Sequence, residues 1–582
     1  MNSLRWAALQ YKNLTLRYQN LYLVGVAVII GIAAALGNIA FRTSIQVIQI
    51  FFYDTGEEVV LHALQNTPVY KILLIPAFGG LIVGLIQHFH KSEGHGVSMV
   101  IKAIITKKRI SPLVAFFTTL TSSITLGSAG SAGREGPIVQ IGAALGSWIA
   151  TLFRFPAGKI RFAIASGAGG GIAATFNTPL AGAMFTAEAL LGRFDFKVFA
   201  PVVISCVTAT VVSRAYFGNH VTFIAPEYLF ANWYELFLYA LLGLFVGVFG
   251  AAFLKVFFFT TKLFKAIRIP TFIKPAIGGL IVGGIGVFCR NIMGVGYGTI
   301  MEILNLQLTG YFLILLLGLK IAATSLTLGS GGSGGLFVPS LFVGAALGGF
   351  GGFLFSLIFV NAGINSASYA LVGMGAMLAA TMRIPITSIL MIFEITQSYQ
   401  VVLPIMATTI IAHVASSWLE KDSFISRPLA EEGMNIEYEN DLAILENTAV
   451  HDMMLKEAMT FREDTPLLKM VEDIRRHPHQ FFPVLNEKGI LISSITLKDL
   501  REALFDPNID NKKLTAKDFC RQASLFISPD SSLAEALAVF GMNEAGDLPV
   551  ASKTADGPLY VGLLRRSDIL RAYKPHNHVN NR

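Results

Sequence analysis

Thr125 to Ser147 reads TLGSAGSAGREGPIVQIGAALGS, and 202 residues later Thr327 to Gly349 reads TLGSGGSGGLFVPSLFVGAALGG. Thirteen of the 23 positions are identical without a gap. Each copy sets a glycine–serine run and one proline directly before an apolar helix. Only the first carries a charged pair, Arg134-Glu135, where the second has Leu336-Phe337. Two further blocks recur in the same order. Pro76 to Gly84 (PAFGGLIVG) returns as Pro275 to Gly283 (PAIGGLIVG) at an offset of 199. Gly167, Gly169, Ala173, Ala174, Thr175, Pro179 and Glu188 return as Gly373, Gly375, Ala379, Ala380, Thr381, Pro385 and Glu394 at an offset of 206. Close helix packing through small residues accounts for recurring GG pairs but not for three ordered blocks. The chain therefore reads as an internal duplication, and paired interrupted apolar segments in two halves of a transporter point to its substrate site.

Composition places that duplication in a membrane. The 582 residues are 53% hydrophobic and 14% charged, with a mean hydropathy of +0.60. Soluble domains are about a quarter charged. Apolar stretches at Leu21–Ala40, Leu73–Ile86, Leu236–Phe259, Phe312–Leu328 and Val401–Val414 approach or exceed the ~20 residues that cross a bilayer as a helix. The first is too long for a cleavable signal and lacks a small-residue cleavage site. Cys206, Cys289 and Cys520 give neither a disulfide framework nor a metal spacing. The net charge of +8 fits basic loops at a membrane face, with no arginine-rich tract for nucleic acid. Arg5, Lys12 and Arg17 before the first span predict a cytoplasmic N-terminus.

Composition changes near residue 430. Residues 1–430 read as the membrane domain, with repeat halves at about 20–215 and 233–425, and 431–445 as an acidic linker. Residues 446–582 read as a soluble tail of two similar pieces, about 449–507 and 514–574. Each piece has a helix, a Pro-Val strand, a glycine-bearing turn, a second strand and a closing helix with an Asp near its start.

A helix N-terminus inside a membrane presents unpaired N–H groups and the positive end of the dipole, so it can hold an anion without a full positive charge. Glycines ahead of it allow close approach of the backbone. Two such starts meeting near the midplane would bind an anion weakly enough to release it, as conduction requires. Glu135 adds a carboxylate that can occupy the same place. Protonation would lift that competition and make it a gate; alternatively Glu135 caps its helix, or pairs with Arg134 at an interface.

GREGP at Gly133–Pro137, GGLFVP at Gly334–Pro339 and FNTPLAGAMFTAE at Phe176–Glu188 resemble the CLC chloride channel and transporter family, and the tail resembles paired CBS domains. The resemblance implies a mainly α, polytopic inverted-repeat CLC fold with an α/β cytoplasmic CBS pair. It implies a homodimer with one pore per subunit, in a bilayer such as a bacterial inner membrane, with both termini cytoplasmic. It makes Glu135 the gating residue. Around the chloride it places Gly133, Arg134 and Gly136, the backbone N–H groups of Leu336 and Phe337, and the positions of His95 and Ile425.

Three departures qualify the pattern. The family's GSGIP loop reads GHGVS at Gly94–Ser98, so His95 stands where a serine contacts the ion and Ser98 where a proline stands. Its ring can contact an anion or lie at the interface beside His88 and His90, and no acidic or cysteine partner completes a metal set. Ile425 occupies the place of a pore-lining tyrosine, which leaves the inner site to backbone amides. Ala189 follows Glu188 where proton-coupled members carry a second glutamate, so the proton relay lacks its carboxylate, and Glu188 and its repeat mate Glu394 are expected to satisfy neighbouring helix ends or polar groups rather than carry protons.

Gly329–Gly334 spells G-x-G-x-x-G without the surrounding βαβ unit of a dinucleotide site. In the tail, Thr496 and Asp499 fit a ribose-contacting pattern, whereas Asp568 in the second copy follows Arg565 and lacks the hydroxyl partner. Adenine nucleotide at the CBS pair, or a purely dimerising tail, are the alternatives, and no other cofactor is implied. The leading expectation is chloride transport gated by protons at Glu135, channel-like or loosely coupled. An H+/Cl− antiporter is the near rival. A CBS-bearing divalent-cation channel is remote, since the membrane half offers glycine-led helix starts rather than hard oxygen ligands. No nucleophile–base pair suggests an enzyme.

Overall fold

The computed structural model describes residues 2–55, 60–90, 96–155, 157–192, 196–219, 223, 235–360, 363–434, 445, 448–475, 481–505, 513–520, 525–542, 546–554 and 556–572. The chain divides between Asn435 and Ile436 into two compact units.

Short connectors aside, the described residues of the first unit form two series of eight helices in matching order. The first series is α1 (Asn2–Tyr53), α2 (Val69–Phe89), α3 (Val97–Thr106), α4 (Pro112–Gly127), α5 (Glu135–Leu152), α6 (Ala157–Phe176), α7 (Pro179–Phe185) and α8 (Phe196–Phe217). The second is α9 (Glu235–Ala266), α10 (Lys274–Phe288), α11 (Tyr297–Leu304), α12 (Phe312–Gly329), α13 (Phe337–Ile358), α14 (Ser366–Met382), α15 (Pro385–Thr396) and α16 (Val402–Leu419). Among the described residues seven helices are long and apolar enough to cross a membrane. They include two that the sequence reading does not count as spans, Phe199–Phe217 and Phe337–Ile358. The first is diluted by Ser, Thr and Arg214, and the second, read as an apolar helix after the repeated block, has its apolar run broken by glycines that hide its full length. Prolines set several starts. Pro112, Pro179 and Pro385 sit at first helical positions, where a missing N–H costs nothing.

Contacts between the halves come in exchanged pairs. Gly133 N donates to Gly335 O at 2.7 Å and Gly335 N to Gly133 O at 2.7 Å, an antiparallel bridge between equivalent residues. Ser131 N donates to Thr327 Oγ1 at 3.2 Å, and its mate Ser333 N to Thr125 Oγ1 at 3.2 Å. Ser131 Oγ meets Thr324 Oγ1 at 3.0 Å, and Ser333 Oγ meets Ser122 Oγ at 2.7 Å. A local two-fold that swaps the copies generates every one of these pairs. Because it leaves equivalent segments antiparallel, the halves run in opposite senses through the bridge.

Packing explains the glycine spacing. A β-carbon on Gly142 would strike the Gly167 carbonyl, and one on Gly167 the Gly142 carbonyl, so α5 and α6 touch backbone to backbone. Gly344 and Gly373 repeat the contact between α13 and α14. Such contact through small residues is how helices associate without a hydrophobic driving force.

The second unit contains two α/β pieces. In the first, β1 (Phe461–Arg462) pairs parallel with β2 (Phe481–Leu485), and β2 antiparallel with β3 (Leu491–Thr496). Helices Leu467–Ile474 and Leu497–Phe505 cover a core of Phe461, Met470, Phe482, Val484 and Ile495. In the second, β4 (Asp547–Thr554) pairs antiparallel with β5 (Gly557–Arg565), and helices Leu533–Met542 and Arg566–Ala572 flank a core including Phe540, Val550, Leu564 and Ile569. The two-residue strand β1 lies too short for its period to show in the sequence.

Candidate anion site

The bridge between Gly133 and Gly335 brings the starts of α5 and α13 together. The first intrahelical bonds at these starts are Ile138 N to Arg134 O at 3.2 Å and Ser340 N to Leu336 O at 3.0 Å. Pro137 and Pro339 carry no N–H. Helical geometry therefore leaves Glu135 and Gly136 at one start, and Phe337 and Val338 at the other, with N–H groups that have no intrahelical acceptor.

One of these is taken by the carboxylate of the opposite half. Val338 N donates to Glu135 Oε1. Glu135 is 2% exposed, and its Oε2 is buried without a hydrogen-bond partner among the described residues. The carboxylate thus caps the helix of the other repeat. Arg134 is itself buried, with its guanidinium 4.9 Å above the Tyr297 ring at the start of α11. The sequence pattern points to Leu336 and Phe337 as donors; Val338 is a third, one step further in, visible only once the two starts face each other.

A cavity of about 260 Å³ adjoins the carboxylate. Gly136, Leu336, Phe337 and Ile425 line it together with Glu135. Ser98, at the end of the GHGVS loop, lines it as well, and so does Gln87, a polar residue that no motif singles out. Ile425 presents an aliphatic side chain, and its N–H is given to Ser423 Oγ at 3.2 Å. His95 lies outside the described residues. His90 stacks on Phe117 with ring centroids 3.7 Å apart, and His88 meets Phe272 edge-on at 5.6 Å, so both sit in aromatic contacts.

Glu188 and Ala189 lie on a π-helical segment, Thr186–Leu191, that continues α7. Glu188 accepts from Ile386 N (3.0 Å), Thr387 N (2.7 Å) and Thr387 Oγ1 (2.6 Å) at the start of α15. Its mate Glu394 accepts from Leu180 N (3.0 Å) and Ala181 N (2.7 Å) at the start of α7. Each half thus caps a helix of the other. Replacing either glutamate by alanine is expected to cost about 0.5–2 kcal/mol, as lost caps do. Glu188→Ala should cost more because of its third bond, and thermal unfolding in detergent measures both.

In the tail, Thr496 N and Oγ1 donate to Asp499 Oδ2 at 2.8 and 2.6 Å, and Asp499 N donates back to Thr496 Oγ1 at 3.3 Å. These residues cap the helix Leu497–Phe505. At the equivalent place Arg565 grips Asp568 through Nε (2.7 Å) and Nη2 (2.8 Å), an arginine fork in place of the hydroxyl.

Residues 78–417 match the family described as voltage gated chloride channel, and residues 450–506 and 516–575 match the CBS domain. A putative chloride channel protein ClcB-like from Ralstonia nicotianae is 34% identical over 415 residues, 70% of this chain and 96% of that protein. Chloride channel protein CLC-e from Arabidopsis thaliana is 27% identical over 621 residues, 94% of this chain and 87% of that protein. The crystal structure of a slow cyanobacterial Cl−/H+ antiporter superposes with a TM-score of 0.65 at 25% identity, covering 71% of this chain and 99% of that one.

Proposed function

Since the chain belongs to the voltage-gated chloride channel (CLC) family and carries a tandem CBS tail, we propose that it moves chloride or a related anion across a bilayer under control of a protonatable gate at Glu135. The observation that carries this is the Glu135 carboxylate on Val338 N–H, beside a cavity lined by Leu336, Phe337 and Ile425. An ionised carboxylate there competes with the permeating anion for the N–H groups at the start of α13. A neutral carboxyl competes less, so acid opens the path.

Conduction on this reading is channel-like or only loosely tied to protons. Ala189 offers a methyl group where a proton relay needs an acceptor, and Glu188 beside it already accepts three hydrogen bonds. Two copies pair in a bacterial inner membrane, each with its own pore and both termini cytoplasmic.

Tight H+/Cl− exchange is the second reading, favoured by the fold shared with the cyanobacterial antiporter. Proteoliposomes loaded with chloride and recorded simultaneously for pH separate the two. Chloride efflux with little uphill proton movement is expected; sustained proton pumping in fixed proportion to chloride would establish exchange instead.

A further inference from the structure

Gln87 lies in the last turn of α2, and nothing in the gate described above uses it. It lines the same cavity as Glu135, Leu336, Phe337 and Ile425. Its Nε2 is buried and has no hydrogen-bond partner among the described residues. Apart from the Glu135 carboxylate, whose Oε2 is an open acceptor, two other polar side chains lining the cavity, Gln140 and Ser333, are already engaged. Gln140 donates to Met99 Sδ at 3.4 Å and accepts from Thr118 Oγ1 at 3.4 Å. Ser333 Oγ is shared with Thr121 at 3.1 Å and Ser122 at 2.7 Å. A β-carbon on Gly331 would stand 3.9 Å from Gln87 Oε1, so the amide lies beside the glycine run that leads into α13.

A buried donor without an acceptor is costly unless something enters to accept from it. In this cavity the entering species is the anion, an acceptor with no proton to offer. A carboxamide is suited to that task. It donates without a formal charge, so it orders the ion without trapping it, as conduction through successive weak sites demands. Ile425 contributes no hydroxyl on its side, which leaves room for a neutral side-chain donor from α2.

We propose that Gln87 is a specificity-determining residue whose Nε2 donates to the permeating anion in the pore cavity. The inference rests on the chloride pathway proposed above. Full-length wild type and Gln87→Leu in proteoliposomes test it by uptake against chloride concentration and across a chloride, bromide and iodide series. The leucine variant should raise half-saturating chloride about two- to tenfold, the worth of one neutral hydrogen bond. It should also narrow the preference for chloride over the weaker acceptor iodide, with the response to pH kept. Gln87→Glu, which retains the size, should depress uptake at neutral pH and recover it on acidification. Wild-type half-saturation and halide order in the leucine variant, or unchanged uptake in the glutamate variant, would overturn the role of Gln87 and leave the pathway standing. Wild-type protein that takes up no halide would overturn the pathway and this role together.

Discussion

Replacing Glu135 with alanine is expected to abolish the pH dependence of anion flux while leaving flux itself high. The carboxylate holds Val338 N–H, and Glu135 Oε2 stays buried without a partner. A hydrogen bond from a neutral N–H to an ion is worth about 1.5–3 kcal/mol. Each 1.4 kcal/mol is a factor of ten in occupancy, so an ionised Glu135 should exclude the competing anion by about ten- to a hundredfold. Protonation removes the charge and most of that advantage, so wild-type flux should rise as pH falls. The charged neighbour Arg134 faces the Tyr297 ring and keeps its charge across this range, so it adds no titration of its own. Glu135→Gln, a permanently neutral isostere, should behave as alanine does. Flux from proteoliposomes at graded pH reads all three proteins, and a wild-type acid response surviving in Glu135→Ala would end the gate assignment.

The repeat was legible because its landmarks are glycines and prolines, which mark backbone positions rather than packing preferences. Gly142 and Gly167, or Gly344 and Gly373, are each held to glycine by the carbonyl of the other. The facing of the two helix starts was foreseeable from the duplicated block, since only a partner half can complete either. The atom that receives Glu135 was not. Val338 occupies an ordinary apolar position in GGLFVP, and its N–H matters only because the two-fold brings it under the opposite carboxylate. Gln87 was hidden for the same reason. A hydroxyl or amide near a helix end reads as interfacial until the fold closes a cavity over it. Glu188 and Glu394 were legible as repeat mates that satisfy helix ends, but that each caps a helix of the other half emerges only from three-dimensional proximity across about 200 residues of chain.

Gly335→Ala should reproduce the loss of pH response without touching Glu135. At this position a β-carbon would stand 2.6 Å from Glu135 Oε2 and 2.7 Å from Gly136 N, closer than a β-carbon comes to any non-bonded atom. The carboxylate is the movable party, since the backbone of Gly136 is fixed by the exchanged bonds between Gly133 and Gly335. A methyl group therefore evicts the carboxylate from Val338 N–H and leaves that donor to the anion at every pH. The backbone still has to yield slightly, at about 1–3 kcal/mol for an overpacked site, so the variant should melt lower yet remain folded. Gly335→Val, with more bulk at the same point, should melt lower still. In the double variant with Glu135→Ala the added methyl has no carboxylate to displace, and its effect on the pH profile should vanish. If Gly335→Ala instead keeps the wild-type pH profile, the carboxylate that responds to protons does not block from the start of α13, and the gate must act from another position.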